Sequence, residues 1–259
     1  MSTSGRRGTI RGLLVERGEV GIGALATKFA VSAMTIRRDL EALEGQGLAR
    51  RIQGGAISTV SRSYEPPLAV RSTEAQGAKA AIAAAAATQI DYGETAILDV
   101  GSTSLALARC LRDRGGLTIV TPSVHVALEL ANEPSTRVIL TGGIVRPGEL
   151  SLVGDLAERT FAELNCDVLF LGVGGIHPEK GLTEYNVDDT RVKRAAIAAA
   201  SRCVVLADQS KLDRICLATI APLDAIDVLI TDAPASHPVA IAVSERGAEV
   251  ISVPREENR

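Results

Sequence analysis

From Thr95 onward the chain alternates short apolar runs with helical stretches, and this alternation leaves few folds open to it. The strand candidates are Thr95–Val100, Leu117–Val120, Val138–Leu140, Val168–Leu171, Cys203–Ala207, Val228–Ile230 and Val250–Val253. Helical stretches lie between most of them, at Leu105–Arg114, Val124–Ala131, Leu156–Leu164, Arg191–Ala200 and Val239–Arg246. An alanine-rich helix, about Ala78 to Gln89, precedes the first strand. Strands that are apolar along their length need cover on both faces, and intervening helices supply it. The prediction is a mainly parallel α/β sheet. A chain of 259 residues has room for one such domain and a smaller second one.

The first sixty residues carry a different pattern. Ile10, Leu13 and Leu14 fall at helical spacing, and Ile22, Leu25, Ala26 and Phe29 repeat it. Ala30-Val31 breaks the pattern, and Ser32 follows as an N-cap whose hydroxyl can take a free backbone N–H. The third helix buries Ile36, Leu40 and Leu43 and stops at Gly45 and Gly47. Leu48 to Ile57 then reads as two short strands around the Gly54-Gly55 turn. Helix, helix, tight turn, helix and hairpin make a winged helix-turn-helix, the layout that sets a third helix in the major groove of DNA. The domain reading is a head over 1–60, a linker over 61–74 containing Pro66-Pro67, and a body over 75–259.

Charge follows the same division. Residues 1–62 balance to +5 and the remainder to −8, within a net charge of −3, so one end is suited to a polyanion. With its apolar residues turned inward, the third helix leaves Thr35, Arg37, Arg38 and Glu41 outward. Arginine matches the O6 and N7 acceptors of guanine. Arg50 and Arg51 on the hairpin are placed to reach phosphates or the minor groove. The expected DNA contacts are Ser32, Thr35, Arg37, Arg38, Arg50, Arg51 and Gln53, on a double-stranded operator. Aromatic residues are 2% of the chain, which disfavours a stacking platform for single strands.

Residues 31–44, VSAMTIRRDLEALE, with Arg50-Arg51-Ile52-Gln53-Gly54-Gly55-Ala56 after them, resemble the signature of the DeoR family of bacterial sugar-metabolism regulators. Gln53 departs from it, since members often carry histidine before the Gly-Gly pair. The resemblance continues through Glu65-Pro66-Pro67-Leu68, Lys79, Ile82-Ala83, Asp99-Val100-Gly101-Ser102-Thr103-Ser104, Gly142-Gly143, Gly181-Leu182-Thr183, Lys193 and Ala207-Asp208-Gln209-Ser210-Lys211. It implies a body related in fold to ribose-5-phosphate isomerase that binds a phosphorylated sugar as effector. The residues agree physically. Gly101, Ser102, Thr103 and Ser104 offer N–H groups, hydroxyls and a helix N-terminus to a phosphate. Thr121, Gly142 and Gly143 end the next strands, Lys193 and Lys211 supply positive charge, and Asp99 or Asp208 accept sugar hydroxyls.

The main rival is an isomerase-like enzyme acting on a sugar phosphate, with the head as an accessory. Isomerisation needs a carboxylate base, and residues 171–176 at the central strand end contain none. Glu184 and Asp188-Asp189 keep that rival open, although acids at a helix start have a structural explanation. A head used only for protein contacts is disfavoured by its four arginines together. Gly172-Val173-Gly174-Gly175 lacks the third glycine of a dinucleotide fingerprint, with His177 in its place, and there is no phosphate-binding Gly-x-x-x-x-Gly-Lys loop. Cys110, Cys166, Cys203 and Cys216 are too scattered for a metal or disulfide framework, and His125, His177 and His237 lack metal spacing. No catalytic residue, metal or cofactor is expected. With no apolar membrane span or secretory signal in view, a cytoplasmic protein is expected, acting as a homodimer or homotetramer.

Overall fold

The computed structural model describes residues 3–17, 19–45, 47–58 and 62–254. Two compact units divide at Pro66 and Pro67. In the first, α1 (Thr3–Arg17), β1 (Glu19–Gly21), α2 (Ile22–Phe29) and α3 (Ala33–Gly45) precede β2 (Ala49–Ile52) and β3 (Gly55–Ser58). Ile10, Leu14, Leu25, Ile36, Leu40 and Leu43 form its core. The α2–α3 turn is made by Ala30 in the left-handed conformation, with Val31 N–H donating back to Ala26 O at 3.1 Å. The strands pair antiparallel in the order β1-β3-β2. β1 was not expected; three residues are too few to show alternation. It explains Gly55, where a Cβ would stand 2.1 Å from Val20 O, so the strand crossing admits only glycine.

The second unit runs α4 (Leu68–Arg71), α5 (Gln76–Ala87), β4 (Thr95–Leu98), α6 (Ser102–Cys110), β5 (Leu117–Thr121), α7 (Val124–Leu130), β6 (Thr136–Leu140), β7 (Ile144–Arg146) and β8 (Ser151–Val153). It continues with α8 (Asp155–Ala162), β9 (Val168–Gly172), β10 (Gly175–His177), β11 (Gly181–Glu184), α9 (Val187–Ala198) and β12 (Cys203–Leu206). β13 (Ala218–Ala221), β14 (Val228–Thr231), α10 (Pro238–Ser244) and β15 (Glu249–Ser252) complete it. Seven strands form one parallel sheet in the order β15-β14-β12-β9-β4-β5-β6. Along β9, Leu169 and Leu171 enter the core on one face and Val168 and Phe170 the core on the other. The sheet is covered on both sides, as the apolar runs predict. On α5, Ile82, Ala83 and Ala86 are fully buried, because alanine lets the helix lie close to the strands.

Three differences bear on function. The segment read as the end of a linker, residues 67–74, is part of the body: it carries α4, and Lys79 Nζ donates to the carbonyls of Arg71 and Glu74. The β7–β8 hairpin and a small antiparallel sheet, β10-β11-β13, stand outside the main sheet. Their strands are three or four residues long, too short for a periodic signal. Finally, α6 begins at Ser102 rather than Leu105, directly after a Gly101 with φ of 117°.

Candidate DNA interface and effector site

α3 exposes Arg37, Arg38 and Glu41 and buries Ile36, Leu40 and Leu43. In its first turn Ser32 Oγ accepts the Thr35 N–H at 3.2 Å and lies 3.0 Å from Thr35 Oγ1. Ser32 therefore caps the helix while staying exposed, and Thr35 is half-buried. Asp39 is a buried charge that sequence reasoning passed over. Its carboxylate accepts from Arg6 Nε at 2.5 Å and Arg7 Nε at 2.9 Å, which ties α1 to α3. Burial alone would push the Asp39 carboxyl up, but the two guanidinium bonds outweigh it and hold the group below the ordinary range. The available signal was an acid lying three residues after Ile36 on the inward stripe.

The hairpin divides its two arginines. Arg50 is exposed, with its Cζ 5.3 Å from the Tyr64 ring centroid, a cation–π distance. Arg51 bonds Glu44 Oε2 through Nε at 2.6 Å and Glu41 Oε1 through Nη1 at 2.6 Å. Its backbone N–H also donates to Glu44 Oε1 at 2.8 Å. Two carboxylates of α3 thus pair with Arg51 in the absence of DNA, and the pairing holds the hairpin against that helix. Gln53 is exposed at the hairpin turn.

These placements separate the four arginines. Arg37→Ala or Arg38→Ala is expected to cost about 1–3 kcal/mol on a selected operator duplex and to relax base preference. Arg50→Ala is expected to weaken binding to every duplex and flatten the salt slope by about one unit. Arg51→Ala should flatten it less, since its charge is already paired. Salt titrations on operator and random duplexes check both, and an unchanged slope for Arg50→Ala would remove the hairpin from the phosphate contacts.

In the body, parallel pairing brings the carboxyl ends of β4, β5, β6, β9 and β12 to one edge of the sheet. Chain order reverses between β4 and β9, the position where open α/β sheets hold ligands. Asp99 follows β4 there, and its Oδ2 accepts the Gly172 N–H at 3.0 Å. Lys193, from α9, donates to Asp99 Oδ2 and to Gly172 O, the latter at 2.9 Å, and lies 3.3 Å from Glu184 Oε2. Burial pushes the Lys193 ammonium down, but Asp99 and Glu184 beside it more than offset this and keep it above the ordinary lysine range. Glu184, read as a helix-start acid, instead ends β11 in this cluster. Asp189 is buried against Arg146 at 2.6 Å, whereas Asp188 is exposed. The charge of Lys193 is met within the fold by Asp99 and Glu184.

The remaining expected residues fall into two groups. Gly101 turns the chain into α6, and Ser102, Thr103 and Ser104 form the helix N-terminus. Ser104 is fully buried, yet its Oγ has no hydrogen-bond partner among the described residues. Asp208 is buried and accepts from the Ser210 N–H at 2.9 Å, close enough to Lys79 and Lys211 to act on both charges. Lys211 Nζ lies 5.9 Å from the Tyr185 ring centroid. Thr121 and Gly143 make close contacts within the scaffold. Thr121 Oγ1 donates to Leu98 O at 2.6 Å and accepts from Ser123 N at 3.0 Å. Gly142 is exposed in the turn after β6, and a Cβ at Gly143 would stand 2.6 Å from Val153 O.

Sequence reasoning missed Arg71, Arg146, Tyr185 and Arg214. Arg71 reaches to 3.7 Å from the position of a Cβ on Gly101 and pairs with Glu149. Arg214 lies 5.1 Å from the Tyr185 ring centroid. Tyr185 is buried, and its hydroxyl is, with Ser104 Oγ, one of two buried side-chain polar atoms without a partner among the described residues. Such atoms are rare in folded proteins. None of these four stands in a recognisable motif, so only the fold brings them together. A groove of about 380 Å³ between α5 and α6 reaches Ser102 and Lys79 beside this cluster. Among the described residues, no group of three or more His, Cys, Asp or Glu could hold a metal ion. No described helix is long and apolar enough to cross a membrane.

Known proteins match both units. The DeoR-like helix-turn-helix domain profile covers residues 6–62, and the DeoR C terminal sensor domain profile covers residues 74–233. The HTH-type transcriptional regulator GolR of Listeria innocua serovar 6a is 36% identical over 88% of this chain and 89% of its own length. Transcriptional repressor AccR of Agrobacterium fabrum strain C58 is 35% identical over 89% and 90%. The glycerol-3-phosphate regulon repressor of Escherichia coli strain K12 is 32% identical over 90% and 92%. Among solved structures, ribose 5-phosphate isomerase A of Methanocaldococcus jannaschii aligns over 52% of this chain and 53% of its own, at 18% identity and a TM-score of 0.39. eIF2B delta of Chaetomium thermophilum aligns over 59% and 54%, at 20% and 0.43. Both alignments are partial. The two profile matches and the near full-length relatives, together with the helix-turn-helix and the parallel sheet, place this chain in the DeoR family of DNA-binding transcriptional regulators.

Proposed function

We propose that the chain is a repressor of carbohydrate-metabolism genes whose operator affinity is set by a phosphorylated sugar bound at the β4–β9 edge of the body. One observation carries this reading. Arg71 borders Gly101, and its carbonyl accepts from Lys79; Lys211 and Arg214 flank the Tyr185 ring; and the buried hydroxyls of Ser104 and Tyr185 lack partners among the described residues. A dianionic phosphate would answer the charge, and sugar hydroxyls would answer Ser104 and Tyr185. The names of the relatives, among them a glycerol-3-phosphate regulon repressor, support the class of gene and effector. Enzymatic turnover is disfavoured, because Asp99 and Glu184 are both engaged by Lys193 and neither is free as a base. Two copies at least would act together in the cytoplasm, each head reading one half-site of a duplex operator.

A thermal-shift screen of pentose, hexose and triose phosphates tests the effector. A compound at one hundred times its Kd adds about 2.7 kcal/mol, a rise in melting temperature of roughly 5–10 °C for a domain of this size. Lys211→Ala should remove most of that rise. Burial, with the charges of Arg71 and Arg214 working against the pull of Asp208, lowers the Lys211 pKa. Its positive charge is therefore lost at a lower pH than that of a free lysine. Effector affinity should fall correspondingly early on the alkaline side, and Lys211→Arg should move that fall upward. If the parent gains no stability from any sugar phosphate, the effector class is wrong.

A further inference from the structure

Arg71 occupies an unusual place. It belongs to α4, the first element after the division at Pro66 and Pro67, and it also borders the loop proposed to hold phosphate. Its guanidinium pairs with Glu149, and both side chains are nearly buried, 12% and 4% exposed. Glu149 lies on the turn of the β7–β8 hairpin, whose Arg146 reaches Asp189 at the edge of the Lys193 cluster. On its other side α4 is fastened to α5, because Lys79 Nζ donates to the carbonyls of Arg71 and Glu74. Among the contacts that hold the short helix are these backbone carbonyls on one side and, on the other, the ion pair beside the Gly101 loop.

We propose that Arg71 couples the two units by exchanging Glu149 for the effector's anionic group. This rests on the phosphate reading above. A phosphate on the N-terminus of α6 would lie beside Arg71 Nη1, 3.7 Å from the position of a Cβ on Gly101. Guanidinium binds such a group through two parallel N–H bonds. The same phosphate repels the Glu149 carboxylate, so the pair has two discrete arrangements: Arg71 on Glu149 without anion, and Arg71 on the anion with Glu149 released. The Lys79 contacts stay in place through the exchange and serve as the pivot of α4. Pro66 and Pro67 precede it directly, and two fixed φ angles transmit a rotation of α4 rather than absorb it. A ligand that discriminates between the two arrangements shifts their populations, which is what a change in DNA affinity requires.

The test uses the full chain, inorganic phosphate as the probe, and an operator selected from a randomised duplex library. Glu149→Gln keeps the shape of the side chain and removes its charge. It should bind phosphate roughly fivefold or more tightly than the parent, within the usual range of coupling. Its operator affinity without phosphate should already lie close to the parent's phosphate-bound value. In Arg71→Ala, saturating phosphate should leave operator affinity where it was. If Glu149→Gln binds both phosphate and operator like the parent, the exchange is overturned while the phosphate site stands. A phosphate response retained in Arg71→Ala overturns it as well. If phosphate stabilises neither the parent nor Glu149→Gln, the anion site falls and the coupling with it.

Discussion

Replacing Lys193 by methionine is expected to lower the melting temperature of the body by roughly 6–20 °C. Lys193 is 2% exposed and is the cation between Asp99 and Glu184. Methionine fills a similar volume but leaves two carboxylates buried without it, a loss of about 3–5 kcal/mol for a broken buried pair. The temperature range follows from about 2–4 °C per kcal/mol for a domain of this size. The pH dependence has a definite sign. Buried carboxylates without a cation have folded-state pKa values above their unfolded ones, so the folded variant takes up protons and the deficit shrinks as pH falls. Thermal melts of the parent and Lys193→Met at neutral and acidic pH check both points. A variant that melts like the parent would mean that the lysine is not a structural cation, and its role as an effector ligand would return.

The case of Lys193 also shows how far the sequence was legible. Apolar runs of four or five residues, such as Val168–Gly172, identified the parallel sheet because burial on both faces leaves every position apolar. The helix-turn-helix was legible for a similar reason, since Ile36, Leu40 and Leu43 keep helical spacing. The turn at Gly101 into α6 was legible because it is local in sequence. The partners of charged groups were not. Lys193 and Asp99 are 94 positions apart, and Arg71 and Glu149 are 78 apart. No periodicity reports a contact of that separation. The partners of Arg51 were hidden likewise: a basic hairpin residue looks the same in sequence whether or not Glu44 pairs with it. The neighbours of Arg71, Tyr185 and Arg214 became visible only once the strand order had brought their loops together.

Control of DNA binding by the effector is the second large expected effect. Coupling between two sites of this kind usually spans about 5–150-fold in affinity, or 1–3 kcal/mol. The proposed coupling would join an arginine-bearing α3 on one unit to the Gly101–Ser104 loop bordered by Arg71 on the other. Repression relieved by substrate is the expected direction, so the sugar phosphate found by thermal shift should weaken operator binding. Lys211→Ala, which removes one cation beside the Tyr185 ring, should reduce the response. A reduction caused by weaker effector binding alone disappears when effector concentration is raised, whereas a defect in transmission does not.

The most direct measurement is an operator titration with the full chain, run with and without saturating sugar phosphate, at fixed salt. The account predicts a displacement of the binding curve within that 5–150-fold range, diminished in Lys211→Ala at the same effector concentration. Superimposable curves for the parent, with a sugar phosphate that demonstrably raises its melting temperature, would contradict it: the pocket would bind its ligand without governing the DNA.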